Sequence, residues 1–260
     1  MVLLSFDIEE FDMPFEYGKE IAFADQIAIS VAGSTIILDL LKKHSFKATF
    51  FSTATFAIHA PQIIERIKNE GHELASHGYY HSKFNSSDLL ASKLKLEELF
   101  GSEVFGFRMP RMMPVDDEAL AAAGYLYNSS INPTWLPGRY NNLHISRVFF
   151  QIGNVLQLPA SVSPILRIPL FWLSFHNFPL WVFQHLSKQT YNKDGYLNLY
   201  FHPWEFMDLS NKDKYGFPGY VSKNSGDAMR NRMDRFMGWL NKQGYKNGTI
   251  TQFSSSASPF

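Results

Sequence analysis

Four carboxylates, Asp7, Glu9, Glu10 and Asp12, stand within six positions directly after the apolar run VLLSF at residues 2–6. So much negative charge at the mouth of a buried strand repels itself unless a cation or an arginine compensates it. Along an extended chain Asp7 and Glu9 project to the same side, so one can bind a metal ion while the other handles a proton. The stretch SHGYYH offers two imidazoles, His77 and His81, at a spacing that suits one ion, as on one face of a helical turn. The chain has no cysteine, so a third ligand falls to a carboxylate, with Asp7, Glu9 and Asp12 as candidates. Arg108, after VFGF, carries a permanent charge that can orient a carboxylate and keep it ionised. His202, after YLNLYF, is placed as a general acid or base. Taken singly, each has a plainer reading: solvated acids, loop histidines, a structural ion pair, a core histidine. Together they end four separate apolar runs.

Those runs are strand candidates, and helical patterns alternate with them. Strands are expected at 2–6, 47–53, 72–76, 103–108, 125–130, 154–161 and 195–202, with a last one, GTITQF, at 248–253. Helices are expected at 34–44, where Ile36, Ile37, Leu40 and Leu41 share a face, and at 61–71, which opens on Pro61 and stops at Gly71. Further helices fit 87–101, 114–125 and 225–244. Repeated strand–helix units of this length imply parallel strands with crossover helices. One α/β domain over residues 1–260 is expected, built as an irregular β/α barrel, with an aromatic-rich irregular insertion around 131–195. A doubly wound open sheet is the alternative. In a parallel barrel the C-terminal strand ends converge on one face, where active sites form.

Composition narrows the function classes. Lys+Arg and Asp+Glu balance at 24 each, which argues against nucleic-acid binding by bulk charge. The absence of cysteine removes disulfides and thiolate zinc sites. The N-terminus lacks the pattern of a signal peptide, and the sequence reads as cytoplasmic. Residues 165–183 are the most apolar stretch, but Arg167, Pro169, His176 and Pro179 interrupt it. No transmembrane segment is read there. A buried helix pair is the first reading, and a membrane-surface patch that meets a lipid-linked substrate is the second.

With these pieces in place, the sequence resembles the polysaccharide deacetylases, the NodB-homology group or carbohydrate esterase family 4. SFDIE stands for the family's Thr-Phe-Asp-Asp, SHGYYH for its His-x3-His, FRMPR for its Arg-x-Pro-Tyr and LYFH for its Leu-x-x-His, in the family's order over nearly the whole chain. The resemblance implies an incomplete (β/α)7 barrel, a divalent metal, most commonly zinc, and removal of acetyl groups from sugars. Ile8 fills the place of the usual second aspartate, as in an Asp-x-Glu branch near peptidoglycan-deacetylase-like and allantoinase-like proteins. By that likeness Asp7 is the base, Glu9, His77 and His81 hold the metal, Arg108 holds Asp7, and His202 is the acid. The backbone N–H of Arg111, in the tyrosine's place, would face the oxyanion. Gly78 replaces the usual Ser or Thr. The family's Asp-Trp motif has no counterpart around YNSSINPTW, so the group that orients His202 is left open. The implied substrate is an N-acetylated sugar in a polysaccharide or cell-surface glycan precursor, nucleotide-linked or lipid-linked, which Arg111, Arg139 and Trp135 are candidates to contact. An allantoinase-like cyclic-amide hydrolase and a non-catalytic glycan-binding protein are the alternatives. Oligomeric state is not readable.

Overall fold

The computed structural model describes residues 1–257. The strands are β1 (Val2–Ile8), β2 (Ala48–Ser52), β3 (Glu73–Ser76), β4 (Gly106–Phe107), β5 (Tyr127–Asn128), β6 (Trp135–Leu136), β7 (Tyr140–Asn141), β8 (Phe150–Ile152), β9 (Val155–Gln157) and β10 (Leu197–Phe201). The helices are α1 (Phe23–His44), α2 (Ala54–His59), α3 (Pro61–Asn69), α4 (Ser87–Phe100), α5 (Asp117–Ala122), α6 (Trp172–Asn177), α7 (Leu180–Asp194), α8 (Lys212–Tyr215), α9 (Gly219–Ser222), α10 (Asp227–Lys242) and α11 (Ile250–Ala257).

Eight strands form one curled sheet in the order β10-β1-β2-β3-β4-β5-β9-β8. Every neighbouring pair from β10 to β9 is parallel, and only β8 runs against its neighbour. Seven parallel strands with crossover helices make the incomplete (β/α)7 barrel that the motifs implied. The chain after β9 turns back beside β10. There the Ser161 N–H donates to the Asn198 carbonyl and the Asn198 N–H to Ser161 Oγ, both at 2.9 Å. That contact draws the two ends of the parallel run together. β1 is buried along its whole length, as expected of a strand covered on both faces. Its Leu4, Phe6 and Ile8 share a cluster with Ile37 and Leu41 of α1 and with Phe236 and Leu240 of α10.

Two sequence expectations need correction. The segment 248–253 is not a strand, because its end lies in α11. Its Thr and Ile residues suit a strand, but Thr249 and Gln252 form a capping box. Thr249 Oγ1 accepts the Gln252 N–H at 3.3 Å, and Gln252 Oε1 accepts the Thr249 N–H at 3.0 Å. Ile250 and Phe253 then share a helix face and pack on Leu3, Phe51 and Tyr127. The first helix begins at Phe23, well before residue 34, because its buried face there is small and polar rather than apolar. Ser30 Oγ donates to the Glu9 carbonyl at 2.6 Å. A Cβ on Gly33 would lie 2.0 Å from the Pro203 carbonyl oxygen. α1 is long and apolar enough by length and composition to cross a membrane, but this face presses on the chain that carries Glu9 and His202. The stretch 131–195 holds the β6–β7 hairpin and β8.

The apolar stretch 165–183 holds the helix pair of the first reading. α6 and α7 are a helix pair whose Phe175 and Phe183 are buried. The preceding turn leaves Ile165 89% and Leu166 76% exposed, and Trp181 is 70% exposed.

Candidate metal and catalytic site

The C-terminal strand ends bring the chemistry-bearing residues together. Asp7 and Glu9 leave β1, His77 follows β3, Arg108 follows β4 and His202 follows β10. His77 and His81 do not lie on a helical turn. They sit in a loop in which Gly78 adopts φ +82°, a left-handed conformation that a Ser or Thr would resist. The two imidazoles stack with centroids 5.7 Å apart.

Glu9, His77 and His81 are all buried, and one ligand atom from each lies within 4.8 Å of the other two. Glu9 Oε2 stands 3.0 Å from His77 Nε2 and 3.1 Å from His81 Nε2. Yet this oxygen has no hydrogen-bond partner among the described residues. The far side of each ring explains the arrangement. His77 Nδ1 lies 2.8 Å from the Arg108 carbonyl, which can only accept. His81 Nδ1 lies 2.7 Å from Asp12 Oδ1. Each ring therefore carries its hydrogen on Nδ1 and, when neutral, turns an unprotonated Nε2 toward Glu9. Two nitrogen lone pairs and a carboxylate oxygen converge on one point. That donor set fits a divalent ion with sites left open for other ligands. Without an ion a proton takes its place: burial opposes charge on His81, but Glu9 and the Asp12 hydrogen bond prevail and raise it to about 9. Burial would likewise lift Asp12, but its bond to His81 and the Arg111 charge hold it below the usual carboxylate range.

The other half of the site pairs a buried arginine with a carboxylate and an oriented histidine. Arg108 is fully buried, and its Nη1 lies 2.6 Å from Asp7 Oδ1. Nε donates to the Ser129 carbonyl and Nη2 to Ser129 Oγ, each at 3.0 Å, while the guanidinium lies 4.0 Å over the Phe51 ring. Burial works to raise the Asp7 carboxyl, but Arg108, with His77 and His202, outweighs it, so Asp7 lies below its ordinary value. Its second oxygen faces His202 Nε2 at 3.8 Å. His202 is stacked on Trp204 at 4.8 Å and flanked edge-on by Trp172 at 5.7 Å. These two tryptophans thus pack around the histidine.

Glu205 orients His202. Its Oε1 accepts the His202 backbone N–H at 2.6 Å and faces His202 Nδ1 at 3.0 Å. Burial again opposes ionisation, but His176 and His202 hold Glu205 below its usual value. His202 in turn is raised against its own burial, first by the Glu205 hydrogen bond and then by the charges of Glu9, Glu205 and Asp7. The orienting carboxylate thus stands three residues on in HPWE, rather than in a distant Asp-Trp motif.

The remaining candidates lie at the mouth. Arg111 and Met112 both have left-handed backbones, φ 57° and 54°, unusual for side chains of this size. The Arg111 side chain is engaged: Nε bonds Glu16 Oε1 at 2.7 Å, Nη1 the His81 carbonyl at 3.2 Å and Nη2 Asp12 Oδ2 at 3.3 Å. It braces the metal group through Asp12 rather than standing free for a ligand. Arg139 is largely exposed, with Nη2 3.9 Å from Glu16 Oε2, and Trp135 is 60% exposed on the same hairpin. Neither joins the buried group. Beside Asp12 opens a groove of about 600 Å³, with the partly exposed rings of Phe15, Phe23 and Tyr80 on its walls.

Comparison with known proteins gives the following. The family described as polysaccharide deacetylase matches residues 21–126, a span that holds His77, His81 and Arg108. A peptidoglycan-N-acetylglucosamine deacetylase of Bacillus cereus is 34% identical over 93 residues, which cover 35% of this chain and 30% of that relative. The chain thus spans less than a third of that curated relative. Among solved structures, a probable polysaccharide deacetylase from Pseudomonas aeruginosa superposes with TM-score 0.67 at 16% identity, covering 100% of this chain and 92% of the other. An allantoinase superposes with TM-score 0.64 at 16% identity, covering 100% and 91%. At these identities the two structures share a fold with this chain.

Proposed function

We propose that this chain, whose residues 21–126 match the polysaccharide deacetylase family, is a metal-dependent hydrolase that removes the acetyl group from an N-acetylated sugar of a polysaccharide or glycan precursor. The observation that carries the reading is the convergence of Glu9 with Nε2 of His77 and of His81, beside an Asp7 held ionised by Arg108. Zinc suits one carboxylate and two imidazoles with open positions. When bound there, a divalent ion supplies Lewis acidity toward a carbonyl and lowers the pKa of water.

The chain's own residues then divide the work. Asp7 takes the proton of the attacking water. Arg108 keeps Asp7 ionised and aimed. The backbone N–H of Arg111 faces the developing oxyanion, a contact whose loss typically costs about 100- to 1000-fold in rate. His202 gives its Nε2 proton to the departing amine, a poor leaving group without one. The Bacillus cereus relative, named for peptidoglycan N-acetylglucosamine, directs the first assays to N-acetylhexosamine glycans. The aromatic groove beside Asp12, with Trp135 and Arg139 on the hairpin, offers the surface along which such a chain would lie.

The shared fold with an allantoinase keeps a cyclic amide as the second reading. The same base and acid would open a ring, and ring opening frees no acetate. The test is bound metal by elemental analysis, followed by acetate release from N-acetylhexosamine conjugates for the wild type, Asp7→Asn and His77→Ala. Metal-dependent release lost in both variants supports deacetylation. Ring opening without acetate supports the second reading. Sugar binding with no turnover in metal-replete protein supports a glycan-binding role.

A further inference from the structure

Glu205 is wholly buried, and its two oxygens have different partners. Oε1 serves His202, while among the described residues Oε2 has one partner, His176 Nε2, at 2.9 Å. His176 lies on α6, 1% exposed, and its Nδ1 has no partner among the described residues. An imidazole with one nitrogen spent on a buried carboxylate and the other buried without a protein partner among the described residues carries a cost that an apolar side chain would not. Its backbone is held too, since Asn224 donates to the His176 carbonyl.

We propose that His176 is a positioning residue for proton transfer. It donates Nε2–H to Glu205 Oε2, which keeps Glu205 an acceptor. Glu205 Oε1 then fixes the hydrogen of His202 on Nδ1 and aims Nε2 at Asp7. The proposal rests on His202 being the general acid. Other charged groups also act on His202: Asp7 and Glu9 from the end of β1, with Arg108 and His77 bearing on Asp7 in turn. Tyr200 lies beside His202 on β10, and Trp172 and Trp204 frame it. Among the described residues, His176 is the hydrogen-bond partner of Glu205 Oε2. Without it, an unpaired buried carboxylate takes up a proton more readily, and the His202 imidazolium loses support. The pKa of His202 must then fall.

The test compares wild type with His176→Gln, whose amide can still donate, and with His176→Phe and His176→Asn, which cannot reach. Nitrogen-15 NMR of the imidazoles, with His202 assigned by its loss in His202→Gln, reports tautomer and pKa whether or not any substrate turns over. The expected result is a His202 pKa lower by about one unit in the His176→Phe and His176→Asn variants, with His176→Gln close to wild type. In an active enzyme the alkaline limb of the pH–rate profile shifts down by the same amount. An unchanged His202 titration in a folded His176→Phe or His176→Asn variant overturns the proposal. The NMR arm separates that failure from a failure of the deacetylase reading, which would show as absent acetate release. If His176→Phe does not fold, the His176→Asn and His176→Gln pair still decides the matter.

Discussion

His81 and His202 are built alike and end differently. Each sets its Nδ1 against a buried carboxylate, Asp12 at 2.7 Å for one and Glu205 at 3.0 Å for the other. Each turns Nε2 toward a carboxylate from the end of β1, Glu9 or Asp7. The difference lies in what else that carboxylate meets. Asp7 already has the buried guanidinium of Arg108, so its charge is compensated and its face toward His202 is left for a proton. The Glu9 oxygen has no such donor and meets a second imidazole instead. On the proposed reading, the same histidine–carboxylate device serves a cation on one side and a proton on the other. The position of one arginine decides which.

Breaking the metal half gives the largest effect. In Glu9→Ala the two imidazoles lose their charged companion. Stoichiometric metal in purified protein should fall to background, and acetate release with it. His202 should keep a raised pKa through Glu205 in the NMR titration, because its first support lies elsewhere. Metal retained at wild-type affinity would show that the ion sits elsewhere. Breaking the proton half is next. Asp7→Asn should lower kcat/KM by about 10²- to 10⁴-fold while metal content stays near wild type. Loss of metal in this variant would move Asp7 from base to ligand. A smaller effect tests the brace. Asp12→Asn should weaken metal affinity by about 10- to 100-fold in competition with a chelator, the range for partners that orient a ligating histidine. An unchanged affinity would leave Asp12 only as an ion-pair partner of Arg111.

The two halves are unequally legible in the sequence. Asp7, His77, Arg108 and His202 can be found because each follows an apolar run, and in a parallel sheet such ends converge; Glu9 and His81 are found by their spacing from Asp7 and His77. The partners behind them are harder. Asp12 is visible only as one of three possible ligands. Glu205 lies three residues from His202, but the Pro-Trp pair between them reads as a turn. His176 sits in the irregular region, where no strand periodicity announces a register. The same reason hides the first half of α1. There Ser30 and Gly33 are small because the helix presses against the site, so the apolar pattern that marks a helix is missing. GTITQF fails in the opposite sense, since residues that suit a strand are overruled by a Thr-x-x-Gln cap.

The smallest predicted effect is also the sharpest for the comparison, because it separates cation from proton on one ring. Burial opposes charge on His81, yet Glu9 and Asp12 raise it to about 9. At neutral pH the ion-free ring is then protonated, and a metal must displace that proton to use Nε2. Metal affinity should therefore rise with pH by about tenfold per unit below 9, since one released proton contributes one power of ten. Calorimetry in two buffers of different ionisation enthalpy counts the proton directly, with about one released per ion at pH 7. Asp12→Asn removes the strongest hydrogen bond to the charged ring, so its His81 must titrate lower. Its affinity curve should flatten at a lower pH. His176→Phe, which acts only on the proton half, should leave the curve unchanged. No proton released by the wild type at pH 7 would mean that His81 is already neutral there. The likeness between the two histidines would then end at their geometry.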